Sequence, residues 1–175
     1  MTDADRFEAF VREYQDMVFA TAARLLGRAA EAEDVAQTVF LRAFERFDAL
    51  AASPTAAGWL KTVTTNLCLN HLARYRRRWQ FFSELDDEQA SGSYAASLAA
   101  RVDEATSSER AERQVLLERA VRALPDHQRV PLVLFHFEDM SYKEIASTLG
   151  VSLAKVKTDI NRGRARLKTV LADLT

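Results

Sequence analysis

The 175-residue chain has one cysteine, five glycines and three prolines. A single thiol, Cys68, excludes an internal disulfide, and with no metal or catalytic set around it the residue reads as a buried core side chain. So few glycines and prolines leave little room for tight turns and predict a mostly helical chain. No apolar run approaches membrane-spanning length, and the N-terminal MTDADRFEAF lacks a basic segment followed by an apolar one, which predicts a cytoplasmic protein. His71, His127 and His136 are scattered without forming a ligand pair, and no Gly-rich phosphate loop or nucleophile motif is present. Enzymatic, metal and cofactor readings therefore find little support, and no small-molecule substrate is expected.

Acidic residues are missing from one long stretch. Residues 59–80 carry five basic side chains and no acidic one, whereas residues 1–58 carry six basic and ten acidic. Residues 81–125 carry five and nine, and residues 126–175 carry eight and six. The net charge of −1 thus conceals two separated basic helical segments with acidic stretches between them. A protein that touches a polyanion at two places has this pattern. A hydrophobic share of 48% is ample for real cores.

The most legible stretch is SYKEIASTLGVSLAKVKTDINRGRARLK, residues 141–168. Ser141 and Glu144 form a capping box, and Ile145 and Leu149 give a short helix its apolar face. Gly150 stands where a left-handed cap needs glycine, and Ser152 can cap a second helix. On that helix Val156, Ile160, Gly163 and Leu167 line one face. Another carries Lys155, Arg162 and Arg166, flanked by Lys157, Arg164 and Lys168. Two helices, a short glycine-containing turn and a basic second helix predict a helix-turn-helix that touches DNA.

Upstream, Asp3 or Asp5 can cap a first helix carrying Phe7, Phe10, Val11, Tyr14, Val18 and Leu25 and ending at Gly27. A second starts near Ala30, with Val35, Val39 and Phe47 near one side and Phe40 and Phe44 next to it. Asp34, Gln37 and Leu41 line a neighbouring stripe, a breadth of coverage that fits either a second partner or burial on two sides. Residues 48–58 interrupt the pattern, with Ser53-Pro54 as N-cap and first helical residue. A third helix, about Pro54 to Arg78, turns Trp59, Leu60, Val63, Leu67 and Leu72 inward. Its other faces carry Lys61, Asn66, Asn70, Arg74, Arg76, Arg77 and Arg78, with Tyr75 and Trp79 interleaved. Amides, arginines and aromatics without an acid suit a phosphate backbone and unpaired bases. Residues 81–106 read as an acidic linker with a helical turn near Leu98–Val102. After it, a helix capped by Thr106 and Glu109 carries Val115, Leu116, Ala120 and Leu124. A further helix turns Val130, Leu134 and Phe137 inward. The fold class is all-α: two small helical domains, 1–80 and 107–175, joined by a flexible linker.

These motifs, in this order, resemble an RNA polymerase sigma factor of the small extracytoplasmic-function (ECF) group, which keeps only regions 2 and 4. Ala32-Glu33-Asp34-Val35-Ala36-Gln37 with Val39-Phe40 resembles region 2.2. Trp59-Leu60, Asn66-Leu67-Cys68 and the basic Arg74–Arg78 end resemble regions 2.3 and 2.4. Leu124-Pro125, Arg129, Ser141-Tyr142, Glu144-Ile145-Ala146 and Leu149-Gly150 resemble region 4. The resemblance implies that Asp34, Gln37, Phe40 and Leu41 meet the clamp helices of the largest subunit of core RNA polymerase, with the flap of the second-largest subunit as a further contact. Loop 48–58 would capture a flipped base of the −10 element, and Lys61, Asn66, Asn70, Arg74 and Arg76 to Arg78 would hold the neighbouring strand. Ser152, Lys155, Lys157, Thr158, Asp159, Arg162 and Arg166 would meet the −35 element. An anti-sigma factor is a further implied partner.

One residue departs from the family pattern. Where Thr-Val-Lys-Ser-Arg is common, this chain reads Lys155-Val156-Lys157-Thr158-Asp159. Asp159 either accepts from a cytosine amine in the groove or pairs with Lys155 or Arg162 and aims them. Two other functions fit parts of the chain: a stand-alone helix-turn-helix regulator, and a sigma mimic that occupies an anti-sigma factor. The exposed stripe of the second helix argues against the first, and the full basic complement of both domains against the second.

Overall fold

The computed structural model describes residues 1–73 and 107–173, which form eight α-helices and no strand. The chain divides into two units, Met1–Arg74 and Tyr75–Thr175. No helix among the described residues is long and apolar enough to cross a membrane. The basic end from Arg74 to Arg78, Tyr75, Trp79, the 81–106 linker with its turn near Leu98–Val102, and the Thr106 cap lie outside the described residues.

The first unit holds α1 (Asp3–Leu26), α2 (Ala29–Glu45), α3 (Phe47–Leu50) and α4 (Ala56–Ala73). Thr2, not Asp3 or Asp5, caps α1: its Oγ1 accepts the Asp5 N–H at 3.2 Å, and the Asp5 carboxylate accepts the Thr2 N–H at 2.9 Å. The Thr2 hydroxyl, which donates to the Asp5 carboxylate at 2.7 Å, and then the Thr2 N–H favour the ionised form and hold the Asp5 carboxyl below its ordinary pKa. The helix α1 packs on both α2 and α4, and α2 packs on α4. Fully buried Val18, Ala22, Leu25, Ala32, Val39 and Leu60 form the core, with Cys68 buried among them as expected.

Two sequence expectations are corrected in α4. Its inner face carries Thr64 and Thr65, while Trp59, Val63 and Leu67 are only half-buried. Thr64 escapes a count of apolar residues because its Oγ1 donates to the Leu60 carbonyl at 2.6 Å, which satisfies the buried hydroxyl within the helix. The segment 48–58 is not all loop either, since α3 buries Phe47 and Leu50. Ser53 Oγ accepts the Thr55 N–H at 3.2 Å, and α4 begins at Ala56, two residues beyond Pro54.

The second unit holds α5 (Ser107–Arg122), α6 (Asp126–His136), α7 (Tyr142–Leu149) and α8 (Leu153–Ala172). Arg129 closes the α5–α6 turn from inside. It is 3% exposed, and its guanidinium donates to the Leu124 carbonyl at 2.9 Å and to Asp126 at 2.5 Å. Val115 is 49% exposed, and Phe137, expected inward, is half-buried. Ala120 is buried as part of α5 together with Val121, and Leu124 is buried just beyond it.

The helix-turn-helix is α7 and α8. Ser141 Oγ accepts the Glu144 N–H at 3.2 Å and Glu144 accepts the Ser141 N–H at 2.7 Å. Gly150 ends α7 at φ 67°, and Ser152 Oγ accepts the Lys155 N–H at 3.1 Å to start α8. Gly163 brings α8 against α6: a Cβ there would lie 2.9 Å from Leu132 Cδ1. Substituting Gly150→Ala should destabilise the second unit by about 1–2 kcal/mol, the cost of a left-handed alanine. Urea unfolding of the full chain followed by circular dichroism checks this, and an unchanged midpoint would count against the turn.

Candidate nucleic-acid interface

Helix α8 buries Val156, Ile160 and Gly163, so the opposite side is its outer surface. Successive helical residues turn by about 100°, which aligns Ala154, Thr158, Asn161 and Ala165 along the outer crest. All four are exposed. Lys157 and Lys168 lie on one side of this crest and Arg162 on the other, also exposed. Ser152 is at the cap, its hydroxyl engaged with the backbone.

Lys155 and Asp159 sit off the crest. The Lys155 ammonium donates to Asp159 Oδ2 at 2.5 Å, and Asp159 is only 5% exposed. The aspartate is therefore not on the outer crest: of the two readings open for it, the structure forms the pair with Lys155. Arg166 is half-buried. Asn161, which the sequence reading passed over, is the central polar group of the crest. Its place one turn beyond Thr158 was the available signal, masked by attention to charge.

Arg164 is also corrected as a member of the basic flank. Its Nε donates to His136 Nε2 at 3.0 Å, its guanidinium lies 5.4 Å from the Phe135 ring centroid, and a second N–H donates to Asn161 Oδ1 at 3.3 Å. The guanidinium thus ties the end of α6 to the crest of α8.

On α4, Asn66 and Asn70 are exposed and four residues apart, which places them on one line. Half-exposed Trp59 and Val63 lie beside them. Lys61 does not join this group. It precedes Asn70 by nine residues, about 900° of helix, and so occupies the opposite side. Arg74, Arg76, Arg77 and Arg78 lie outside the described residues.

The outer surface of α2 presents Asp34, Gln37 and Leu41, all exposed, with Phe40 half-buried at its border. Leu41 is 63% exposed and Phe44 60%. Phe44 is a second residue that sequence reasoning set beside the core. Phe7 meets its ring edge-on at 5.0 Å and also meets Phe47 at 5.2 Å, so a buried aromatic cluster supports Phe44 at its rim.

The Arg164–His136 bond has a pH signature. Burial first, and the Arg164 charge second, hold the His136 imidazole below its ordinary pKa. A folded value below the unfolded one means the contribution is complete above the unfolded pKa. It is lost as pH falls through the lower, folded value. An NMR titration should find His136 below an unfolded-peptide imidazole, and Arg164→Ala should restore it only in part. A His136 that titrates at or above the peptide value would show that the bond does not form.

Residues 10–78 match the family described as Sigma-70 region 2, and residues 114–167 match Sigma-70, region 4. A solved structure of the sigma factor RpoE in complex with the anti-sigma factor NepR from Bartonella quintana aligns over 94% of this chain and 95% of that one, at 22% identity and a TM-score of 0.48. The chain is 29% identical over 172 residues to the ECF RNA polymerase sigma factor SigW of Bacillus subtilis, covering 98% of this chain and 92% of the relative. It is 32% identical over 165 residues to the RNA polymerase sigma-E factor of Streptomyces avermitilis, covering 94% and 84%. Both sigma regions occur in order, and these sequence relatives align almost end to end: the chain belongs to the ECF RNA polymerase sigma factors.

Proposed function

We propose that this chain binds core RNA polymerase and directs it to promoters carrying −10 and −35 elements, with no catalysis of its own. The observation that carries the polymerase contact is the outer surface of α2. Leu41 and Phe44 stand 63% and 60% exposed beside Asp34 and Gln37, a face that the unit's own packing leaves uncovered. Large apolar side chains grouped in this way mark a protein-binding surface. The clamp helices of the largest subunit are the proposed occupant, with the flap of the second-largest subunit against the second unit. An anti-sigma partner would act by covering the same face, and the site of action is the cytoplasm.

In the DNA-bound state, Asn66 and Asn70 on α4, together with Arg74 and Arg76 to Arg78, hold the melted −10 strand. The exposed turn after α3 receives an unstacked base, whose unstacking cost is recovered in the contact. The outer crest of α8 enters the major groove at the −35 element, with Thr158 toward the bases and Lys157 and Arg162 toward phosphates.

Burying a leucine or phenylalanine is worth about 1.5–3 kcal/mol. Leu41→Ala and Phe44→Ala should therefore each weaken binding of the full chain to core polymerase by roughly tenfold or more, with an unchanged circular dichroism spectrum. Wild-type affinity in the double variant would remove α2 from the polymerase contact. A gel shift adds an independent check: promoter-specific retardation should require core polymerase. Tight, specific duplex binding by the isolated chain would support a stand-alone regulator instead.

A further inference from the structure

We infer that Asn161 reads an A·T base pair in the upstream promoter element and that Arg164, held by His136 and Phe135, sets the orientation in which it does so. This rests on the reading that α8 docks in the major groove.

The crest of α8 is built from small residues except at its centre. Ala154 and Ala165 lie on either side of Thr158 and Asn161 along one line, so no longer side chain stands between Asn161 and the floor of a groove. The cations are at the flanks: Lys157 and Lys168 on one side, Arg162 on the other. Flanking cations reach the phosphates on both groove walls, and the crest reaches base edges.

Arg164 determines what the crest shows. Arginine has only donors, so the Asn161 atom facing its guanidinium at 3.3 Å must be the amide oxygen. The arginine is fixed at its other end by the 3.0 Å bond from its Nε to His136 Nε2 and by the Phe135 ring. The amide oxygen keeps a second lone pair, and Nδ2 keeps both hydrogens. One acceptor beside one donor is the complement of adenine, which offers N6–H and N7 in the major groove. Guanine presents two acceptors there and leaves the amide oxygen without a partner. Asn161 is thus a specificity-determining residue, and Arg164 a positioning residue that acts through it.

The test uses the full chain assembled with core polymerase and a promoter library randomised across the upstream element. Wild-type holoenzyme should favour A·T at one position by about tenfold or more, in the range of a bidentate base contact. Asn161→Ala should flatten that position alone and leave the others as they were. Arg164→Ala should weaken the same preference without moving it, an effect that a general loss of folding would spread over all positions. Placing 7-deazaadenine at the position removes N7, and should weaken binding by wild type but not by Asn161→Ala. An Asn161→Ala profile identical to wild type, or a wild-type preference for G·C at the affected position, would overturn the inference. If Lys157→Ala and Arg162→Ala weaken binding on all sequences while Asn161→Ala changes nothing, the docking of α8 stands and only the assignment of Asn161 fails. If none of these variants changes binding or preference, the docking reading fails and the assignment falls with it.

Discussion

The contact of α8 with α6 at Gly163 sets the geometry of the second unit. With no side chain at that point, the backbone of α8 rests where a Cβ would meet Leu132 Cδ1 at 2.9 Å. That contact fixes which side of α8 faces the core, and so which residues form the crest. The two caps at Ser141 and Ser152, with the left-handed Gly150 between them, then fix where α8 begins. Depth, rotation and start are set by Gly163, Gly150 and the two serine caps. The charged groups are placed by them.

The first unit follows a related logic. Ala22 in α1 and Ala32 and Ala43 in α2 are fully buried, and small side chains let helix backbones approach closely. A core built on alanine can be completed with one face of each helix. The opposite face of α2 is then left over, and there Leu41 and Phe44 remain in water. An exposed apolar pair that the fold itself does not need is the mark of a surface kept for another protein.

Much of this was legible in the sequence, for reasons that differ between elements. The helix-turn-helix was readable because its signals are local: a serine, a glutamate three residues on and a glycine with positive φ each act within one turn. Helix α4 was harder. Apolar and threonine residues surround it, and the choice of inner face was made by contacts with α1 and α2 that no local pattern reports. Thr64 is buried at no cost in hydrogen bonding, so its polarity misled. Phe44 misled in the opposite sense, since an aromatic supported by Phe7 stays at a rim without entering the core. Asn161 was overlooked because charge was the criterion, and the crest of α8 is neutral. Asp159 was recognised as the departure, but only coordinates could choose between a groove and Lys155.

That choice has a consequence for the ion atmosphere around the complex. A lysine that neutralises a phosphate displaces a condensed counterion, and the entropy of that release drives much of non-specific DNA affinity. The ammonium of Lys155 is already matched by the carboxylate of Asp159 at 2.5 Å, one turn along the same helix. It enters the complex as half of an internal dipole and displaces little of its own accord. A tally of basic residues on α8 therefore overstates the counterions that the helix expels, and the binding retains correspondingly more of its strength as ionic strength rises.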